Sequence, residues 1–479
     1  MRATAALAGL ALIVRGSMLG SRFPYIDDLL QLYAVTRPSA GEAARAVAGI
    51  GPLQPPLDYA ADFLAARATG DLAALRLLPL AWGVLSVAAA VRIGERRAPG
   101  LGAWWGALLA VSMPLVSFSV TLRPYSLAVL LGLLCWLAFD HWLETEDPRP
   151  YAAAQAVFQL AYPHAWLVGL AQLAFVALER RGRTAALARA LVPSWLALAA
   201  WLGWWHLQVS AAGGFHYEVP WSALALIARS FHQAQGPGLY LYPALVVLGA
   251  AAALRAGPLT GFVRLAALAS VPPLLALFAV HRAESVLLLP RHALPLLPAY
   301  LALAAAGCAS ARSRAARGAL AVALAWAAAD PLLTLARRER DLSGYLAAFA
   351  ADLRGRARPS DALVFADPNT GATVLHALDR GAFDALGGVA MRGGFALFRF
   401  PPALTVGPLR LEASTLCFVD PSLATADAAR VRALRAAGRR VWLVSLEGLN
   451  ALPQERPFAA LGVPDGDLLE IRPGLHLLR

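Results

Sequence analysis

Arg22-Phe23-Pro24-Tyr25-Ile26-Asp27-Asp28 follows closely on an apolar run from Ala3 to Gly20, and this junction decides how the rest of the chain is read. A run of that size is close to the roughly 20 residues a helix needs to cross hydrocarbon. The seven residues therefore stand where a first membrane helix emerges into water. Neighbouring carboxylates in a confined site cannot both ionise cheaply, so one is pushed toward a raised pKa, the condition a general base needs. Asp is also a favoured N-cap residue, and the pair equally suits the start of a helix at Leu29.

Composition extends the same reading to the whole chain. Of 479 residues, 59% are hydrophobic and only 15% charged, where a soluble chain would carry roughly a quarter charged. The net charge of +12 is carried by arginine, since the sequence contains no lysine. Those arginines cluster between apolar segments, a pattern that positive-inside topology explains more simply than nucleic-acid binding. Cys135, Cys308 and Cys417 show no metal-ligand spacing and read as small buried hydrophobes.

Apolar segments at 3–20, 72–91, 101–119, 124–143, 151–163, 165–179, 185–208, 238–254, 262–280, 291–309 and 318–335 predict a mainly α, polytopic membrane protein with about eleven transmembrane helices. The short pair 151–163 and 165–179 is interrupted at Tyr162-Pro163-His164, which suggests a helical hairpin or two tilted helices. The basic loops holding Arg92, Arg96 and Arg97, then Arg180, Arg181, Arg183 and Arg189, then Arg255 and Arg264, then Arg312, Arg314 and Arg317 all fall on one side. That side is expected to be cytoplasmic, which puts Asp27, Asp28 and everything after residue 335 outside the membrane. Two domains follow: residues 1–335 in the membrane, with a first outward loop over about 21–70, and 336–479 as a small extracytoplasmic α/β domain. In the second, Ala362–Phe365, Leu416–Val419 and Val441–Val444 read as strands of a mainly parallel sheet, and Ala424–Ala437 as a helix. Asp367-Pro368-Asn369 and Asp420-Pro421-Ser422 fall at strand ends, where open α/β sheets bind ligands and where ordinary turns also occur.

Several motifs then occur in a telling order: an arginine after the first helix, the outward acidic pair, Gln54-Pro55-Pro56-Leu57-Asp58-Tyr59, the segment Leu75–Val87, and Thr121-Leu122-Arg123-Pro124-Tyr125-Ser126. Together they resemble the GT-C membrane glycosyltransferases, on the branch of the protein O-mannosyltransferases and the lipid A aminoarabinose transferase. The resemblance covers roughly residues 1–310. It implies a polyprenyl-phosphate-linked sugar as donor and a hydroxyl on a lipid, glycan or protein as acceptor. It further implies transfer at the outer face of the membrane by inverting direct displacement.

The resemblance assigns Asp27 the part of catalytic base, with Asp28 beside it where relatives more often carry Glu. A leaving phosphate needs guanidinium groups, which grip phosphate oxygens in a fork. Arg123 is the first candidate. Arg291, in Pro290-Arg291-His292-Ala293-Leu294-Pro295, is the second. Gln54, Asp58, Tyr59, Tyr125 and His164 are expected to line the substrate site. Gln54 stands where relatives show His and cannot titrate. Asp27 and Asp28 are hard oxygen ligands, so a divalent metal is chemically possible. With Thr121 where relatives often carry an acidic residue, a metal-independent mechanism is favoured and no metal ligand is assigned. The Gly213-Gly214-Phe215-His216-Tyr217 loop could serve as an aromatic lid.

No P-loop, dinucleotide fingerprint or Ser-His-Asp order is found, and nucleic acid is not an expected partner. A lipid or polysaccharide transporter is the rival from another class, but it should show two related halves with matching broken helices. A non-catalytic relative is a further alternative, kept open by Asp28, Gln54 and Thr121. The topology carries its own check. Reporter fusions at Gly182 and Ser343 should signal from opposite compartments; a shared compartment would mean the helix count between them is wrong by an odd number.

Overall fold

The computed structural model describes residues 2–50, 56–211, 219–232, 237–254, 259–283, 288–311, 313–359, 361–365, 368–392, 395–401, 403–406, 409–415, 429, 431–444, 468–472 and 475–478. Gln54, Cys417, Leu416–Val419, Asp367, Asp420–Ser422 and most of the Ala212–Trp221 loop lie outside these residues. The chain folds as two compact units. One comprises Met1–Arg22, Pro55–Gln208 and Phe215–Glu339; the other comprises Phe23–Gln54, Val209–Gly214 and Arg340–Arg479.

The first unit is helical. All eleven apolar segments form helix, and seven stretches among the described residues are long and apolar enough to cross a membrane: Arg2–Ser21, Leu72–Arg97, Tyr125–Thr145, Arg181–Gly203, Thr260–Ala283, Pro290–Ala309 and Arg314–Arg356. Shorter apolar helices at Leu101–Val111, Trp166–Glu179, Ser222–Phe231 and Gly238–Ala251 accompany them. This is a multi-pass membrane protein. Two details differ from expectation. The segment 101–119 is broken at Ser112 into Leu101–Val111 and Met113–Phe118, because Pro114 lacks the N–H that would continue the ladder. The last segment runs unbroken as a 43-residue helix, Arg314–Arg356, about 65 Å long at 1.5 Å per residue.

Apolar helices gain little from leaving lipid for one another, so close backbone approach and polar pairing hold them. Gly249 and Gly307 provide the approach: a Cβ on Gly249 would lie 2.1 Å from the Leu303 carbonyl oxygen, and one on Gly307 2.1 Å from that of Leu245. Arginine provides the pairing. Arg15 is 1% exposed and donates to the carbonyls of Gly83 at 2.5 Å and Leu109 at 2.8 Å. The second acceptor lies in the last turn before the Ser112 break, where helix carbonyls lose their partners. Arg22 pairs through Nη1 with Glu339 Oε1 at 2.7 Å. Its Nη2 donates to Thr121 Oγ1 at 2.8 Å, and its own carbonyl accepts from Arg76 at 3.0 Å.

The second unit contains the helices Ile26–Val35 and Ala40–Ile50 together with a six-stranded sheet. Every residue from Asp28 to Val35 is buried. Tyr33 packs edge-on against Phe383 and Phe398 and donates to the Leu386 carbonyl at 2.8 Å. The strands are β1 Ala362–Phe365, β2 Val389–Arg392, β3 Phe395–Phe398, β4 Ala403–Val406, β5 Leu409–Thr415, β6 Val441–Val444, β7 Leu468–Arg472 and β8 Leu475–Leu478. The large sheet has the order β4-β5-β1-β6-β8-β7, and β2 pairs with β3 separately. Among the described residues only β1 runs parallel to its neighbours β5 and β6; the pairs β4–β5, β6–β8 and β7–β8 are antiparallel. The expected mainly parallel sheet is therefore a mixed one. β1 and β6, buried along their whole length, produce the continuous apolar runs that a sequence shows best. The flanking hairpins give a weaker signal.

Glu339 is 1% exposed, so removing it leaves the buried Arg22 guanidinium without that counter-charge. Glu339→Leu should cost about 3–5 kcal/mol, read as a lowered unfolding midpoint in detergent. Arg22→Met combined with Glu339→Leu should recover most of that loss. Full stability in Glu339→Leu would remove the pair from the account.

Candidate functional site

The candidate residues are held at helix starts and helix breaks. Pro56 opens the helix Pro56–Ala66, a position where its missing N–H costs nothing. Asp58 follows in its first turn, where the helix dipole favours a carboxylate. Asp58, Tyr59 and Asp62 are all buried. Asp62 escaped the sequence reading, although its i, i+4 spacing from Asp58 puts both carboxylates on one face.

Arg123 sits in the turn ahead of the helix Tyr125–Thr145, whose N-cap is Pro124. Its half-buried guanidinium donates from Nη1 to the Tyr59 hydroxyl at 3.3 Å. Thr121 has a structural task, receiving Arg22 and donating to the Ser117 carbonyl at 2.9 Å. Tyr125 is buried edge-on against Phe118 at 5.0 Å. It lines a small cavity with Arg15, Gly83, Ser86 and Ser126.

His164 occupies the break between the helices Arg149–Ala161 and Trp166–Glu179. Two buried glutamines stabilise that break by capping its carbonyls: Gln155 donates to Ala165 at 2.9 Å and Gln159 to Pro163 at 2.8 Å. Tyr162 reaches from the same break to donate to the His292 carbonyl. His292 and Arg291 lie in the 3-10 stretch Pro290–Leu296, formed where three prolines in nine residues prevent a regular α-helix. Between them comes a histidine the sequence reading missed. His281, near the end of the helix Thr260–Ala283, places Nε2 3.4 Å from Nε2 of His164, and its ring stacks on His292 at 5.4 Å. Only its place one turn from a helix end could have suggested it.

Arg123 and Arg291 both lie close enough to His292 for their charges to be felt at its ring. Arg123, His164 and Arg291 are thus brought into one neighbourhood, with Tyr59 attached through Arg123. Asp27 and Asp28 open the helix Ile26–Val35 of the other unit, Asp28 fully buried and Asp27 half-buried. Burial, and after it the facing His281, lowers the His164 imidazole to about 3, so it is neutral at physiological pH. Among the described residues, no three His, Cys, Asp or Glu side chains are grouped to hold a metal ion. Two guanidinium groups and three imidazoles in one partly desolvated place suit a phosphate.

Comparison with known proteins gives the same fold. ArnT from Cupriavidus metallidurans in the apo state superposes with a TM-score of 0.58 at 13% identity, covering 99% of this chain and 97% of that one. The same protein bound to undecaprenyl phosphate gives 0.55 at 14% identity with the same coverage. No protein-family model matches the sequence, and no curated protein sequence matches it. The GT-C-like fold expected from the motifs is the fold found.

The Arg123 arrangement predicts a graded series. A charge-assisted hydrogen bond is worth about 1.5–3 kcal/mol, so if the site holds a phosphate-bearing ligand, Arg123→Ala should weaken its binding roughly ten- to a hundredfold. Arg123→Lys should fall between, keeping the charge without the fork. Calorimetric titration provides the measurement, and wild-type affinity in Arg123→Ala would reduce the residue to an interfacial anchor.

Proposed function

We propose that this protein is an integral membrane glycosyltransferase. It moves a sugar from a polyprenyl-phosphate donor to an acceptor hydroxyl at the outer face of the bacterial inner membrane. The reading rests on one observation above the others. Arg123, Arg291 and the histidines gather at helix breaks in a chain folded like ArnT, a lipid A aminoarabinose transferase of which one structure holds undecaprenyl phosphate. The unit with the mixed sheet, and the tail beyond residue 335, are extracytoplasmic in this reading.

The reaction requires an acceptor oxygen to attack the anomeric carbon while the bond from that carbon to the phosphate oxygen breaks. Asp27 takes the acceptor proton as general base. Asp28 orients the acceptor and adjusts its neighbour's pKa. The electron pair of the broken bond passes to the phosphate, and Arg123 and Arg291 hold the charge that develops there. Displacement from the opposite side inverts the sugar. Tyr59 meets Arg123, and the helix that carries it, with Asp58 and Asp62, lines the donor side.

A general base contributes roughly a hundredfold to ten-thousandfold, so Asp27→Asn should nearly abolish turnover while leaving prenyl-phosphate affinity almost unchanged. Asp28→Asn should be milder. Both need matched folding, because the pair also opens the helix Ile26–Val35. Retention of more than about a tenth of wild-type turnover in Asp27→Asn would move the base elsewhere, with Asp58 next in line. Full activity in both variants would leave the pair a structural part in the first turn of that helix, whose N-cap is Tyr25.

A further inference from the structure

Arg15 sits in the last turn of the helix Arg2–Gly16 and is 1% exposed. A guanidinium does not lose its proton in a protein, and burying its charge is costly unless an opposite one accompanies it. Arg22 meets that demand with Glu339. Arg15 meets it only in part. Its Nη1 and Nη2 donate to the carbonyls of Gly83 and Leu109, and the end of its own helix favours a cation with a fractional charge. Among the described residues its Nε–H has no acceptor, and Arg15 takes part in none of their ion pairs.

The surrounding elements have no carboxylate to give it. Arg15 shares its small cavity with Gly83, Ser86, Tyr125, Ser126 and Leu294. The helix Arg2–Gly16 and the segments Leu101–Val111, Met113–Phe118 and Pro290–Leu296 contain no Asp or Glu. On the helix Leu77–Arg97 the acidic residue is Glu95, more than three turns from Gly83, or about 18 Å at 1.5 Å per residue. On the helix Tyr125–Thr145 the nearer one is Asp140, which pairs with Arg97. It lies nearly four turns from Ser126, about 21 Å, and Glu144 is farther still.

Two features make the cavity receptive to negative charge. Tyr125 and Ser126 open a 21-residue helix, whose leading N–H groups have no partner within it and whose dipole presents positive charge. The first bond of its ladder runs from the Ala128 N–H to the Pro124 carbonyl at 2.8 Å. Ser86 donates its hydroxyl to the Trp82 carbonyl at 2.8 Å. An α-helix already gives that carbonyl the backbone N–H of Ser86, so the hydroxyl can turn toward an anion at little cost.

We propose that this cavity binds one small monovalent anion, chloride, as the counter-ion of Arg15. The space suits a single species close to water in size, which excludes a phosphate or a lipid head group. Water in the same place would leave the buried charge standing, whereas chloride cancels it. The anion joins the end of the first helix to the start of the helix Tyr125–Thr145. This site is separate from the phosphate site and does not depend on it.

The test is thermal unfolding of the full chain in detergent, in sodium chloride and in sodium gluconate at matched ionic strength. Gluconate is too large for the cavity. A ligand that binds only the folded state stabilises it by mass action, so chloride should raise the midpoint by about 3 °C or more, and the rise should saturate. Arg15→Met keeps an apolar stem without the charge and should lose the rise. Equal midpoints in the two salts, a rise that does not saturate, or a rise that Arg15→Met retains would each overturn the proposal, leaving water as the occupant. If Arg15→Met does not fold, wild-type crystals grown in bromide decide the matter. An anomalous peak beside the Arg15 Nε supports the site, and its absence overturns it.

Discussion

The buried ion pair between Arg22 and Glu339 is the constraint on which the helical unit turns. Its partners are 317 residues apart and meet at 2.7 Å. A charge in a low-dielectric interior is costly unless it is paired and its remaining hydrogens are satisfied. The structure answers that demand by gathering four segments around Arg22, two of them at its guanidinium. The chain leaving the first helix supplies Arg22, the long helix supplies Glu339, the turn before Tyr125 supplies Thr121, and Arg76 closes the group through the Arg22 carbonyl. Arg123 stands two residues from Thr121, and Asp27 five residues beyond Arg22. The structural cation thus fixes the turn that carries Arg123.

A second constraint is what a membrane protein must do with broken backbone. Every peptide group freed at a break needs a partner inside the protein. The break at Ser112 gives a carbonyl to Arg15, and that at Pro163 gives carbonyls to Gln155 and Gln159. The 3-10 stretch at Pro290–Leu296 is tied by Tyr162 through the His292 carbonyl. Breaks of this kind are also where side chains can point across the bundle instead of along it. His164, Arg291 and His292 all sit at breaks, and Arg123 lies in the turn that precedes a helix. The polar groups that mend the backbone and the groups assigned to the phosphate are accordingly neighbours in sequence.

Much was legible from the sequence. Length and hydropathy determined the multi-pass helical architecture, because hydrocarbon permits few other solutions. Motif order pointed to the fold later found in ArnT. Arg123, Arg291 and His164 drew notice because an ionisable group among apolar residues is conspicuous in one dimension, and β1 and β6 were legible because strands buried on both faces read as unbroken apolar runs.

What the sequence could not decide was pairing. Glu339 lies in a charged stretch after the last apolar segment, and nothing local joins it to Arg22. Thr121 read as a lost acidic residue, yet it is the hydroxyl that receives that arginine. His281 lay inside an apolar helix with its partner 117 residues away. The antiparallel edges of the sheet likewise depend on strands that contact each other only after the chain has turned back. Periodicity and composition follow from each residue's own need for water or lipid and can be read from sequence alone. Which cation meets which anion, and which imidazole faces which, is set by the three-dimensional path of the backbone, and only the tertiary structure decided it.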